Sequence, residues 1–313
     1  MFPAWANRAL LACVAVVAAL ALPATASAHS RTTTVALDYR LTLNRVPAGV
    51  QASVLDGDRD LRLRVPPGRT LVVLGDLGEP MLRFANGVWV NERSPTAQAN
   101  RLIGNAGTGW RKLAGGSTFA WHEHRLAPPP YDGGDLGPVA RWTVPVVLDG
   151  QRGAVSGAFV RVARPHTWLW LGGAALLIGV ALSMLRLRPR AAIVVTVAAG
   201  TGAGVAALVA QTAFSLRDSP AGKASWVSIG ISGAVGVVAA WLVVAGRDAR
   251  RAYVAGAIGA GVAALTLSWF AVFLHGAVIA ALPALPVRLA CAIALAGGVL
   301  ALLGALSIRV EDA

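Results

Sequence analysis

Beyond Pro165 the chain turns almost purely apolar, and that change constrains everything else it can do. Thr167 to Leu185, Ala191 to Phe214, Trp226 to Gly246, Tyr253 to Leu274 and Leu289 to Ile308 are each close to the ~20 residues a membrane-spanning helix needs. Five such runs predict a five-helix transmembrane bundle over 166–308, with a short tail at 309–313. Composition agrees: 56% of residues are hydrophobic, mean hydropathy is +0.61, and 14% are charged, against roughly 25% in a soluble domain.

Basic residues between the runs set an orientation. Arg186, Arg188, Arg190, Arg247, Arg250, Arg251 and Arg309 fall on one side, against Arg217, Lys223 and Arg288 on the other, so the first set is expected in the cytoplasm. No Asp, Glu, Lys or Arg stands mid-span, which leaves no candidate proton relay or ion-coupling carboxylate. His275 is the lone histidine between Thr167 and Ile308, so paired-histidine haem ligation is excluded there.

At the N-terminus, Arg8 precedes the apolar stretch Ala9 to Leu22, and Pro23 leads into Ala26-Ser27-Ala28, a small-x-small cleavage pattern. Residues 1–28 therefore read as a secretory signal peptide, with cleavage after Ala26 as the competing site. Export would place 29–165 outside the plasma membrane, and five spans would then leave Ala313 inside. Cys13 would leave with the leader and Cys291 lies in an apolar run, so the exported part has no disulfide and relies on its core.

Between His29 and Pro165 the pattern changes to period two. Val35, Leu37, Tyr39, Leu41 and Leu43 alternate with polar neighbours inside Thr32 to Val46, as in a strand with one wet face. Further strands are expected at Gln51 to Leu55, Asp60 to Val65, Thr70 to Leu74, Met81 to Phe84, Gly87 to Asn91, Thr118 to His124, Arg141 to Leu148 and Ala154 to Val162. Asn86-Gly87 and Asp149-Gly150 supply turns between them. Asn91 to Gly116 reads as a long loop with one helical turn. The predicted fold is α+β in two domains: an antiparallel, immunoglobulin-like β-sandwich followed by the helical bundle.

Metal-capable side chains crowd at Trp121-His122-Glu123-His124-Arg125. In a regular strand His122 and His124 share one face, about 7 Å apart, and Glu123 takes the other. Three blocks, Gly75-Asp76-Leu77-Gly78-Glu79-Pro80 with Leu82-Arg83-Phe84, Asn91-Glu92-Arg93-Ser94-Pro95, and Trp121 to Arg125 backed by Trp142-Thr143-Val144-Pro145, resemble an actinobacterial family of exported, membrane-anchored proteins that carry a Trp-His-Asp/Glu-His-Arg motif. The resemblance implies a shared fold and brings no activity. One departure concerns the site: the family often places a further histidine and a Trp-Met pair just after the motif, where this chain has Leu126-Ala127-Pro128-Pro129-Pro130.

Two readings of the motif stand side by side. A mature N-terminal His29 would chelate through its amine and its ring, and with His122 or His124 would offer the nitrogens that Cu(II) favours. That logic is similar to the exported copper-binding sandwiches of the CopC type. Zinc would draw on His122, His124 and Glu79 or Glu123, although alternation turns Glu123 away. In the other reading the motif is a structural cluster, with Arg125 paired to Glu79 or Glu92 and the imidazoles capping nearby carbonyls.

Enzymatic chemistry is not expected, since Ser117, His122 and Asp132 lack the spacing of a triad and no Gly-x-Ser-x-Gly turn is present. Between His29 and His166 there are 17 Lys and Arg against 11 Asp and Glu. That mild excess suits anionic lipid or wall polymer and is too diffuse for nucleic acid. The expected partners are the membrane and an envelope protein.

Overall fold

A computed structural model describes residues 35–55, 60–105, 107–127, 129–130, 134–187, 192–215 and 248–308. The leader at 1–28, His29, the run Trp226 to Gly246 and the tail at 309–313 lie outside the described residues. The described residues fall into two compact units, one over Leu37–Arg164 and one from Pro165 onward that also takes in Val35 and Ala36.

The first unit is antiparallel β structure. Strand β1 (Ala36–Leu37) straddles the boundary between the units, and the strands of the first are β2 (Tyr39–Arg45), β3 (Gln51–Leu55), β4 (Asp60–Arg64), β5 (Leu71–Leu74), β6 (Pro80–Phe84), β7 (Val88–Asn91), β8 (Trp110–Ala114), β9 (Thr118–His122), β10 (Gly137–Leu148) and β11 (Gln151–Arg161). Seven of them form one sheet in the order β2-β11-β10-β5-β6-β7-β8, and three form a second, β3-β4-β9. Leu61, Leu63 and Trp121 from the smaller sheet share one core with Val73, Leu82, Phe84, Val144 and Phe159 from the larger. Alternation works as expected: in β5, Leu71 and Val73 are buried while Val72 and Leu74 are half-buried.

The hairpin joining β10 to β11 has a two-residue loop, Asp149-Gly150, with both φ angles positive at 48° and 81°. That geometry matches the sheet twist, and Asp and Gly tolerate it. Asp149 also accepts from the Thr70 N–H at 2.8 Å and pairs with Arg69, which ties the hairpin to the neighbouring strand. Gly157 sits opposite Trp142 in this ladder, and a Cβ there would lie 2.7 Å from the indole and 1.7 Å from the Thr42 carbonyl. The glycine is what allows the buried indole to lie flat across the strand.

Asn91 to Gly116 departs from expectation. It holds the helical turn, α1 (Pro95–Ala99), but also strand β8, which pairs with β7 and forms the edge of the larger sheet. Trp110-Arg111-Lys112 masked that strand, because two adjacent cations break the apolar alternation a half-buried strand shows.

The second unit is helical: α2 (Thr167–Leu187), α3 (Ala192–Ser215), α4 (Asp248–Ser268) and α5 (Ala284–Ser307), with a two-residue strand β12 (Ala277–Val278). Among the described residues three helical stretches, Ala192–Phe214, Arg251–Ser268 and Ala284–Ser307, are long and apolar enough to cross a membrane, and Thr167–Ser183 is a shorter apolar stretch. Helix α4 ends earlier than expected, and Phe270–Phe273 follows as a 3-10 turn. Helix α5 begins earlier, at Ala284 rather than Leu289. Pro283 is its N-cap and Pro286 stands in its first turn, where a missing N–H costs nothing. Arg288 donates to the carbonyls of Val272, His275 and Gly276 at 2.8, 2.7 and 2.9 Å, covering acceptors left open where that turn ends.

Candidate functional site

Strand β9 delivers the histidine motif. Its partner is β4, in a register that sets Asp60 opposite His122 and Leu61 opposite Trp121. The strand stops at His122, two residues short of the expected end at His124, and His124–Leu126 closes into a 3-10 turn capped by the Glu123 carboxylate. Because the chain turns there, the two imidazoles are set in different surroundings.

Glu123 is fully buried. Its Oε2 accepts from Trp121 Nε1 at 2.9 Å and from Arg125 Nη2 at 2.7 Å, while its Oε1 accepts from Arg125 Nε at 2.8 Å and from the Arg125 N–H at 3.3 Å. Burial works to raise this carboxyl. The Arg125 hydrogen bonds and charge, the indole N–H and the backbone N–H outweigh burial and hold it below its ordinary 4.5. Every lone-pair direction of the carboxylate is thus in use, and none is left for an ion.

Arg125 reaches further. Its Nη1 donates to the Leu74 carbonyl at 3.0 Å, and its Nε stands 3.6 Å from Asp76 Oδ1. The sequence reading paired it with Glu79 or Glu92, and the structure corrects this. Glu79 accepts from Ser94 Oγ at 2.6 Å and from the Thr96 N–H at 3.3 Å, and Glu92 pairs with Arg111 Nε at 2.7 Å. Local geometry decides the choice: the 3-10 turn folds Arg125 back onto the carboxylate two residues before it.

His124 is held on both sides. Nδ1 meets Asn100 Oδ1 at 2.5 Å and Nε2 meets Asp76 Oδ2 at 2.7 Å, while the His124 N–H donates to Asn100 Oδ1 at 3.1 Å. Both ring nitrogens are engaged, one by an amide oxygen and the other by a carboxylate. Flipping the Asn100 amide would turn its NH2 against the backbone N–H of His124, so the assignment is fixed by the network.

Asp76 and Asn100, not singled out from the sequence, complete this clasp. Asp76 lies in the tight turn Gly75–Glu79, and its N–H donates to Thr96 Oγ1 at 2.8 Å. A Cβ on Gly75 would fall 2.0 Å from Glu79 Oε1 and 2.5 Å from Thr96 Oγ1, so the close approach requires glycine. Asn100 is the C-cap of α1, whose N-cap Ser94 accepts from Ala97 N–H at 3.1 Å. Three segments far apart in sequence, the 75–79 turn, α1 and the 124–126 turn, therefore meet through His124 and Arg125. The Ser94-Pro95 pair, an N-cap followed by proline at the first helical position, was the legible signal for α1.

His122 differs. Its side chain is 42% exposed, with Nδ1 at 3.5 Å from Asp60 Oδ1. A carboxylate near one nitrogen of an exposed ring is the kind of support a metal-binding imidazole receives. Glu123 and Glu79 do not join it. Among the described residues no three His, Cys, Asp or Glu side chains are grouped to hold a metal ion, and His29, the third nitrogen source, lies outside them.

Fold and site thus define a membrane-associated α+β chain whose two-sheet unit is locked by a Glu-Arg-His-Asp clasp. Comparison with protein-family models, curated proteins and solved structures finds no match.

Proposed function

We propose that the protein is a multi-pass membrane protein of the bacterial cell envelope, with its two-sheet unit held outside as a non-enzymatic interaction module. On this reading 1–28 is a leader, the sheet unit is an immunoglobulin-like sandwich, five helices span the bilayer, and Ala313 is cytoplasmic. The supporting observation is the clasp: Glu123, His124, Arg125 and Asp76 spend their polar atoms on one another. A motif used that way rigidifies a recognition surface, and it leaves no activated nucleophile or paired acid and base.

A second reading rests on His122. Its exposed ring, backed by Asp60, suits Cu(II) binding together with a mature N-terminal His29, with His124 as the remaining donor if the clasp opens.

Titration of Cu(II) into protein purified from membranes, after any processing, separates the two. The interaction reading predicts no stoichiometric uptake sensitive to His122→Ala. One equivalent bound tightly and lost in His122→Ala would replace it with envelope copper handling.

A further inference from the structure

The larger sheet has an outer face whose charge has a single sign. None of its seven strands contains an Asp or a Glu. The registers place Arg40, Arg45, Arg83, Lys112, Arg141 and Arg152 on that face. Among the described residues none of the six is in an ion pair. Carboxylates that could have neutralised them are taken up elsewhere: Asp38 by Arg164, Glu92 by Arg111, Asp149 by Arg69, and Asp76 and Glu123 by Arg125.

Three of the cations stand in one transverse line. Arg152 is opposite Val147, Val147 opposite Val72, Val72 opposite Arg83, Arg83 opposite Trp89 and Trp89 opposite Lys112. At ~4.8 Å per strand the line runs about 24 Å across six strands. Tryptophans hold its basic end in place. The Arg83 guanidinium lies 5.6 Å from Trp89 and 4.7 Å from Trp110, and Lys112 Nζ lies 5.6 Å from Trp89. Arg83 Nε is buried beneath the outward end of the guanidinium and has no hydrogen-bond partner among the described residues. Cations packed on aromatic faces, uncompensated by carboxylates, are positioned for an anion that arrives from outside.

We infer that this face binds a linear anionic polysaccharide lying across the strands. The inference rests on the sheet unit being outside the membrane and names the class of its partner. Charge complementarity selects an anion, and the length and flatness of the line select an extended polymer over a single small ion. Thr143 and Ser156 on the same face add hydroxyls for sugar groups, while no fully exposed Leu, Ile, Phe or Trp stands there to enter a lipid layer.

The test uses the full chain in non-ionic detergent with polygalacturonate as probe. Neutral dextran, single-stranded DNA and anionic phosphatidylglycerol vesicles serve as comparisons. Binding to polygalacturonate, weakening with salt and absent for dextran, is expected. Changing Arg83, Lys112 and Arg152 together to Gln is expected to weaken it roughly tenfold or more. Changing Arg62 and Arg64 to Gln, on the exposed side of β4 in the other sheet, is expected to leave it unchanged.

Equal loss in both variants would reduce the effect to bulk charge and overturn the inference, as would binding to vesicles or DNA without binding to polygalacturonate. Labelling of Gly150→Cys on intact cells reports separately on location. If the label enters and polygalacturonate does not bind, this inference alone fails; if the label does not enter, the extracytoplasmic reading fails.

Discussion

In the sheet unit the space between elements is filled by large side chains, Leu61, Phe84, Trp121 and Trp142 among them, whereas in the helical unit backbones approach until only hydrogen or methyl fits. A Cβ on Gly259 would sit 2.6 Å from the Gly298 carbonyl, and one on Gly256 would sit 2.3 Å from the Ala305 methyl. Buried polar groups divide the same way. Glu123, Asp60 and Asp38 are buried with ionic partners in the sheets, while the described helices bury Thr196 and Thr266 and no carboxylate. Water drives the first kind of core, by expelling large apolar surface. In lipid that drive is missing, so association depends on close van der Waals approach between small residues.

The largest effect expected from breaking this contrast is at Glu123. Glu123→Ala strands the nearly buried Arg125 charge, at a cost of about 3–5 kcal/mol to the sheet unit. A denaturation curve followed by Trp fluorescence would show it, and a change below about 1 kcal/mol would mean the pair adds little. Next comes Gly259→Leu, which forces α4 and α5 apart for about 1–3 kcal/mol. The thermal midpoint of the helical signal should fall while hydrogen exchange in the sheets stays as it was. A uniform loss in both units would contradict their separate construction.

A smaller effect comes from pH. The Glu123 carboxyl is held below 4.5 in the folded chain, so its ionised form contributes stability that is fully present above that value and is lost as pH falls through the lowered folded value. Burial works to raise the Glu79 carboxyl, and the hydrogen bonds from Ser94 and Thr96 together outweigh it and lower it as well. Acid should therefore unfold the sheet unit along a slope that flattens in Glu123→Gln. An unchanged slope would place the acid sensitivity elsewhere.

Much of this contrast was legible in the sequence. Runs of β-branched and aliphatic residues between turn signals located eight strands to within a few residues, the alternating stretch Thr32 to Val46 breaks at Asp38 into β1 and β2, and unbroken apolar runs located α2, α3, α4 and α5. Strand β8 was missed because Arg111 and Lys112 conceal its pattern, and the start of α5 was missed because prolines read as breakers also open helices. At the site the alternation expected through His124 gives way after His122 to a 3-10 turn, which leaves the Glu123 carboxylate 3.8 Å from His124 Nδ1. The partners of His124 and Arg125 were not legible. Asp76 and Asn100 lie 48 and 24 residues from His124 in sequence, and only the folded chain brings them to it. His29, one member of the expected copper set, and Trp226 to Gly246, the third of the five expected spans, lie outside the described residues.

The account stands on the histidine motif being a clasp between distant segments. Hydrogen exchange over 92–105 in His124→Ala, compared with the parent protein, tests that most directly. Loss of protection in α1 and around Asn100, with β10 and β11 unchanged, is the predicted result. Unaltered protection across 92–105 would contradict it, because a side chain that ties nothing down can be removed without loosening its neighbours.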